Sequence, residues 1–265
     1  APALVNKYDR TKMALEHGID LVIELPVIAA TSSAETFAQG GVCLLDSLGV
    51  VSHISFGAEA NTTSDIDMLD KLADFFAFEP PAFQKYLDLE LKSGCSFPAA
   101  RAKAAVLCLQ QMAFDSMNTD TVAQLERLLA SPNNILAIEY MKAIHRQNLK
   151  LTPSVVTRNG AGYHDTDTDT ELASASALRK FIFQDNSCQK ADSKVLNQML
   201  TRTVPDSVRE LLLNAYKTHA FLQEDDFSDL LYYELRRKFL HSAFSDSDTE
   251  CSDLEKRIAN NLETF

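Results

Sequence analysis

Apolar and polar positions near the start of the chain alternate in a way that predicts helix, strand, helix and strand in turn. Ile19–Leu25 is a nearly continuous apolar run that ends at Pro26, as in a strand buried on both faces of a parallel sheet. An amphipathic helix follows, and Ser32-Ser33-Ala34-Glu35 fits a capping box at its start. A second strand is predicted from Val50 to Phe56. The short turns between these elements indicate βαβ crossovers, and therefore an α/β fold with a doubly wound parallel sheet.

Helical patterns dominate the rest of the chain. Amphipathic helices are predicted from Ser64 to Phe78 and after a break at Ser131–Asn134, and a third strand from Ser154 to Thr157. Beyond this strand and the helix after it, only helical patterns remain. We therefore expect a Rossmann-like domain of residues 1–184 followed by an all-helical domain of residues 185–265. Three strands are few for such a sheet, so we expect its first strand to be missing upstream.

A strand, an arginine and a serine-rich helix start follow one another in the second half of the chain. Arg158 ends the third strand, and after a glycine-containing turn and an acidic loop the next helix begins around Ser174 and Ser176. Free N–H groups and the positive end of a helix dipole attract phosphate, and a guanidinium fits phosphate oxygens. These are the components of a phosphate site. An ordinary helix cap beside a solvated arginine is the alternative.

Two further positions suit the same kind of site. Gly57 directly follows the second strand, and ligands of doubly wound sheets bind at the carboxyl ends of the strands. The alternative for Gly57 is a simple turn glycine. Asn133 and Asn134 precede a helix, where asparagine is usually a cap and a turn residue, although an amide there can also face the base or ribose of a ligand.

The composition changes this interpretation only in part. The chain has 265 residues and a formal net charge of −12, which disfavours a broad nucleic-acid surface. Lys7, Arg10 and Lys12 nevertheless form a local basic group, which is either a solvated helix face or a surface that follows a polyanion. Other basic residues that could add to a local footprint are Arg101, Lys103, Lys142, Arg146 and Lys150.

Other features argue against several kinds of site. The five cysteines include no CxxC pair, which indicates reduced thiols in a cytoplasmic protein and disfavours a zinc site. No apolar run approaches the ~20 residues of a membrane span. The alternating run Asp165–Asp169 does not fit a calcium loop, because Thr170 and Ser176 stand where glycine and glutamate are required. His164, beside this run, is either half of an acid/base pair or a structural group.

Several long stretches follow one another in an order that is specific to one family. They read ALVNKYDRTKMALEHGIDLVIELP, SAETFAQGGVCLLDSLGV, SFGAE, SPNNILAIEYMKAI, GAGYHD and ASASALRKFI. In these stretches the chain resembles the bacterial tRNA(Met) cytidine acetate ligases, which are nucleotidyltransferase-like proteins of the HIGH superfamily. The resemblance implies a Rossmann-like catalytic domain that binds ATP, with magnesium expected, and a helical domain that helps to hold tRNA. It also implies activation of acetate as acetyl-adenylate and acetylation of the wobble cytidine of elongator tRNA(Met), with no role for DNA or a membrane.

The resemblance also implies a set of site residues. The HxGH-type segment that would hold the adenylate-forming histidines is absent, so no catalytic residue is predicted. Two other functions are compatible with the same fold: a small-molecule adenylyltransferase, and a non-catalytic nucleotide- or RNA-binding fragment. The ATP-binding positions that the resemblance implies are Gly57, Asn133, Arg158, Ser174, Ser176 and Arg179.

Overall fold

The computed structural model describes residues 3–112, 117–157, 175–183, 193–223 and 225–244. These ranges are mostly helical and contain two strands, β1 (His53–Ala58) and β2 (Thr152–Thr157). The helices are α1 (Lys7–Leu15), α2 (Val27–Ala30), α3 (Ala34–Ser47), α4 (Thr63–Phe78), α5 (Pro81–Lys92), α6 (Phe97–Met112), α7 (Thr119–Ala130), α8 (Pro132–Gln147), α9 (Ala175–Phe183), α10 (Ser193–Thr203), α11 (Asp206–Lys217) and α12 (Ser228–Phe244), with a 3₁₀ turn at Asp225–Phe227.

Contacts divide the chain into two compact units. The central unit comprises residues 23–160, and the other comprises residues 1–22 together with residues 161–265. The boundary predicted at residue 184 stays a prediction. None of the helices in the described ranges is both long enough and apolar enough to cross a bilayer.

The core of the central unit forms around α4. Leu69, Leu72 and Phe76 repeat at helical spacing and are almost completely buried, because this face of α4 packs against α8. Thr62 fixes the start of α4 with a capping box to Asp65, as local sequence preference favours. The ring of Phe76 lies edge-on to that of Phe83 on α5, with the centroids 5.7 Å apart.

The two strands form a parallel pair, as the sequence predicted. His53 lies opposite Thr152, and Ala58 lies opposite Thr157. Helices α4 to α8 lie between the strands in sequence, so the connection is a long helical crossover. Helix α8 packs on β1, where the rings of Phe56 and Tyr140 have centroids 5.2 Å apart.

The prediction of a buried strand at Ile19–Leu25 is wrong in this structure. This run belongs to neither described strand, and its side chains are accessible, with Leu21 64% exposed. A strand buried on both faces needs a sheet neighbour, whereas β1 and β2 pair with each other in a two-stranded sheet. The apolar composition alone was not enough to fix this run as a strand.

The predicted capping box before α3 is also wrong, although the helix start is right. Ser33 is the N-cap, and its Oγ accepts a hydrogen bond from the backbone N of Thr36 at 3.4 Å. The third helical residue is therefore Thr36, and Glu35 is left free to pair elsewhere. It pairs with Lys142, whose Nζ lies 2.8 Å from Glu35 Oε1.

The second unit has a small core of its own. Leu196 and Leu200 of α10 pack with Leu212 of α11 and with Val5. Helix α1 contacts α11, and the backbone N of Leu222 donates to the carbonyl of Leu4 at 3.0 Å. The first residues of the chain therefore pack with helices from its C-terminal third.

Candidate functional site

The carboxyl ends of β1 and β2 meet at one edge of the sheet. Gly57 lies opposite Val156 in the ladder, and the hydroxyl of Thr157 donates to the carbonyl of Ala60 at 3.0 Å. The segment that leaves β1 is thereby tied to the end of β2. Ligands of open parallel sheets bind at such an edge. Gly57 is the next-to-last residue of β1, so it lies near this edge but inside the strand rather than directly after it as predicted.

The first turn of α8 reaches the same edge. Asn134 Oδ1 accepts from the backbone N of Glu59 at 2.8 Å, and Asn133 Nδ2 donates to Glu59 Oε1 at 2.6 Å. Asn134 is 1% exposed, so its amide is a structural clamp. Asn133 therefore contacts Glu59, which is two residues after Gly57. Asn133 lies at the N-terminus of a helix, where N–H groups without helical partners favour an anion.

The structure describes only some of the other residues predicted to contact the nucleotide. Arg158 and Ser174 lie outside the described residues. Ser176 is in α9, but its side chain lies outside the described part of the chain. Arg179 is also in α9, and its Nε is buried without a hydrogen-bond partner. Gly57 and Asn133 belong to the central unit, whereas Ser176 and Arg179 belong to the other unit.

The predicted basic group lies on α1 and is exposed. The Lys7 ammonium is 5.6 Å from the centroid of the Tyr8 ring, and Lys12 Nζ is 3.8 Å from Glu16 Oε1. Residues three apart on a helix share a face, so Lys7 and Arg10 point the same way. Lys12 lies five residues from Lys7, which places it toward another side of α1.

Of the residues that the sequence suggested as surface cations, Lys142 is buried and Arg101 is largely buried. Lys142 is 5% exposed, and Arg101 has a side chain that is 17% exposed. Both are paired with acids: Arg101 Nη1 lies 2.6 Å from Glu139 Oε1, and Lys142 Nζ lies 2.8 Å from Glu35 Oε1. Their charges are used inside the fold, so they contribute nothing to a polyanion footprint.

This group of Arg101, Glu139, Lys142 and Glu35, the charged cluster, joins α3, α6 and α8. The hydrogen bond from Lys142 lowers the pKa of Glu35 against the opposing effect of burial. The guanidinium of Arg101 lies over the ring of Phe76, 4.0 Å from its centroid. Ion pairs between distant helices carry little local sequence signal. Only the i, i+3 spacing of Glu139 and Lys142 on α8 was visible in advance.

The charged cluster borders a cavity of about 290 Å³. Apolar side chains make most of its remaining wall, and Glu79 adds another carboxylate, which accepts from Gln84 at 2.8 Å. The cavity is lined by Ser33, Ala34, Glu35, Phe76, Glu79, Phe97, Pro98, Arg101, Ala102, Leu129, Ile135, Ile138, Glu139 and Lys142.

Comparison with known families identifies the family of this chain. The HIGH Nucleotidyl Transferase family matches residues 1–265. The chain belongs to this family. Its resemblance to the tRNA(Met) cytidine acetate ligases is confirmed by two relatives of that name. The protein of Clostridium perfringens (strain SM101 / Type A) is 42% identical over 235 residues, which cover 88% of this chain and 53% of the relative. That of Thermoanaerobacter sp. (strain X514) is 42% identical over 236 residues, covering 89% and 53%.

Solved structures of the same family confirm the α/β class. Thermotoga maritima TmcAL in its apo form I matches 97% of this chain and 56% of its own, with a TM-score of 0.75 and 29% sequence identity. The same protein bound with alpha-thio ATP matches 83% of this chain and 47% of its own, with a TM-score of 0.66 and 30% identity. The chain spans about half the length of the relatives and solved structures named here.

Proposed function

We propose that the protein to which this chain belongs is an ATP-dependent ligase that acetylates the wobble cytidine of tRNA(Met). A carboxylate oxygen of acetate attacks the α-phosphorus of ATP and releases pyrophosphate. The exocyclic amine of the cytidine then attacks the acetyl carbon, and AMP and a proton leave. Family membership, the name shared by its relatives and the ATP analogue bound to TmcAL support the proposal. Cytoplasmic localisation is part of it.

One observation in this chain carries the ATP part of the proposal. At the edge of the sheet the Asn133 amide meets the Glu59 carboxylate, two residues after Gly57, and Asn134 holds the Glu59 backbone at the first turn of α8. Displacement at an α-phosphate needs fixed donors and cations for the developing negative charge. We assign Arg158, Arg179 and the hydroxyls of the α9 start, Ser174 and Ser176, to the phosphates, and we expect magnesium to accompany ATP. No residue of this chain is assigned to the chemical step.

Calorimetric titration of the chain with ATP and magnesium tests this assignment. Arg158→Ala should weaken ATP binding by roughly 1.5–3 kcal/mol, since a charge-assisted hydrogen bond to phosphate is lost. Asn133→Ala should also weaken it, while Arg202→Ala on α10 serves as the matched arginine control. Equal ATP affinity in wild type and Arg158→Ala would remove Arg158 from the site.

The tRNA part of the proposal rests on Lys7, Arg10 and Lys12 and on the helices of the C-terminal domain. Lys7→Glu with Arg10→Glu should weaken tRNA binding and flatten its dependence on salt, because fewer counterions are released. ATP binding should not change. The control is Lys85→Glu with Lys92→Glu, which changes the net charge equally on α5. If both pairs act alike, the effect is one of net charge, and α1 is only a solvated face.

A further inference from the structure

The cavity beside the charged cluster has no role in the nucleotide site described above. It lies between α3, α4, α6, α7 and α8, all within the central unit. Its volume is about 290 Å³, whereas an engineered apolar cavity of about 150 Å³ already holds benzene. The cavity is therefore large enough for a benzene ring with a short side chain. Pockets that are apolar with a few polar groups are where proteins hold small organic ligands.

The cations that line the cavity are recessed and already paired. Lys142 is almost fully buried, and its Nζ lies between Glu35, at 2.8 Å, and Glu139, at 3.4 Å. Arg101 is largely buried, and its Nη1 lies 2.6 Å from Glu139. An anionic ligand would meet in this lining only cations that carboxylates already neutralise, so its lost hydration would not be offset.

Glu79 is the accessible charge of the lining that is left over. Glu35 is shared between Lys142 and Arg146, whose Nη1 lies 3.5 Å away. Glu79 is partly exposed, and its Oε2 accepts from the neutral amide of Gln84 at 2.8 Å. None of the ion pairs between residues that the structure describes includes Glu79. Charge complementarity therefore favours a cationic ligand.

The backbone at Glu79 points to the same residue independently. Its φ is 32°, a value that L residues rarely adopt. Glu79 is the C-cap of α4, and glycine or asparagine is the usual residue with a positive φ at a helix end. Pro80 follows it and normally restricts the preceding residue to extended conformations. Such backbone outliers cluster at functional sites, which suggests that the side chain of Glu79 has a role in the cavity.

An exposed aromatic ring completes this end of the cavity. The ring of Phe76, one turn before Glu79, is covered by the guanidinium of Arg101, whose Cζ lies 4.0 Å from its centroid. Phe97 is one turn before Arg101 on α6 and also lines the cavity, but it is 57% exposed. Its ring is available to a ligand, and the face of an aromatic ring attracts an organic cation.

We infer that the cavity binds a small organic ammonium ion, with its charge near the Glu79 carboxylate and the ring of Phe97 and its apolar body inside the cavity. This ligand is neither ATP nor acetate, so the inference goes beyond the proposed function and does not rest on it. The apolar body would lie against the uncharged part of the wall, which includes Pro98, Ala102, Leu129, Ile135 and Ile138.

Three phenyl compounds of similar size and different charge test the inference. The chain is titrated at neutral pH with phenethylamine, which is then a cation, with neutral phenethyl alcohol and with the anion hydrocinnamate. Binding is followed by ligand-detected saturation-transfer NMR and calorimetry. The amine should bind about threefold to tenfold more tightly than the alcohol, because it adds a partly exposed ion pair and a cation–π contact. Equal affinity of amine and alcohol, tighter binding of the anion, or no binding of the amine overturns the inference.

Variants assign the preference to the residues. Glu79→Gln should lower the ratio of amine affinity to alcohol affinity at least about twofold, whereas Glu126→Gln, the same change at an exposed position of α7, should leave it unaltered. Ala102→Leu narrows the cavity without changing a charge and should weaken both ligands. Folding of each variant is checked by circular dichroism. A folded Glu79→Gln protein with an unchanged ratio contradicts the assignment.

Thermal unfolding separates a ligand-binding Glu79 from a structural one. Glu79→Asn puts at this position a residue that tolerates positive φ, so the melting temperature should stay the same or rise while the preference for the amine is lost. A fall of more than about 4 °C would make Glu79 a structural residue and overturn its role in binding.

Competition with ATP separates the cavity from the nucleotide site. Millimolar ATP should not displace phenethylamine, and Glu79→Gln should leave the affinity for ATP unchanged. Displacement of the amine by ATP would place both ligands in one site and overturn the inference. Failure of the chain to bind ATP, together with selective binding of the amine, would count against the ligase proposal and leave the cavity assignment intact.

Discussion

Asp65 and Glu139 are two equally buried carboxylates of the central unit, each with 3% of its surface exposed. Asp65 uses both oxygens: Oδ2 accepts from the backbone N of Asn61 at 3.1 Å and of Thr62 at 3.3 Å, and Oδ1 accepts from Gln124 and Arg127. Glu139 uses one oxygen for Arg101 and leaves the other without a hydrogen bond.

The difference separates a carboxylate held by a complete set of hydrogen bonds from one held mainly by ion pairs. Asp65 holds the start of α4 and ties it to α7, and no binding potential is left over. Glu139 lies between Arg101 and Lys142, and its Oε2 is ion-paired with Lys142 Nζ at 3.4 Å without a hydrogen bond. Completeness of hydrogen bonding, rather than burial, is what distinguishes them, because the two residues are exposed to the same extent.

The largest effect on stability should come from removing the hydrogen bonds that Asp65 accepts. Asp65→Ala leaves the backbone N–H groups of Asn61 and Thr62 without their acceptor and removes one half of the capping box, while Thr62 stays as the N-cap. We therefore expect a loss of about 3 kcal/mol in the free energy of unfolding. Urea denaturation followed by circular dichroism measures it. Asp67→Ala, two residues along α4, is the control. A loss below 1 kcal/mol would mean that the Asp65 network is not a main support of the fold.

Lowering the pH should also reduce the stability that Asp65 contributes, but by less than the Asp65→Ala substitution. Burial tends to raise the pKa of Asp65, but hydrogen bonds from Gln124 and from Thr62 outweigh it and leave the pKa below its usual value. A lowered pKa contributes stability above about pH 4, the value for an unfolded aspartate, and this contribution is lost as the pH falls through the folded pKa. Urea midpoints from pH 7 to pH 3 should fall more steeply for wild type than for Asp65→Asn. Parallel curves would contradict this.

The smallest effect on stability should come from replacing both members of the Arg101–Glu139 ion pair. Arg101→Met with Glu139→Leu replaces a buried ion pair by apolar groups of similar size, which is often neutral or stabilising. We expect the free energy of unfolding to stay within about 1 kcal/mol of wild type. A large loss of stability would place Glu139 in the same structural class as Asp65.

The sequence predicted the features that depend on neighbours along the chain. Helix α4 was expected from Ser64 to Phe78 and begins one residue earlier, because its apolar spacing and its cap are local properties. The parallel pairing of β1 and β2 also followed from the order of elements. The strand predicted at Ile19–Leu25 does not form, because a strand needs a neighbouring strand to pair with and local composition does not show whether one is present.

The candidate site was predictable only where a motif carried it. Gly57 and Asn133 came from the resemblance to a family, and the structure adds that Glu59 connects their segments. The charged cluster was missed because its members lie on three helices, and Lys142 reads in the sequence as an ordinary surface lysine. Only the packing of α3, α6 and α8 reveals that these charges meet.

The pairing of β1 with β2 has a consequence for how the chain reaches its fold. His53 meets Thr152 only after the intervening helices have been placed, so the ladder closes a very long loop. Such non-local contacts form slowly, whereas helices such as α4 and α8 form quickly from local contacts. During refolding the two strands should therefore be the last elements to be protected from hydrogen exchange, and their unpaired edges are where transient self-association would begin.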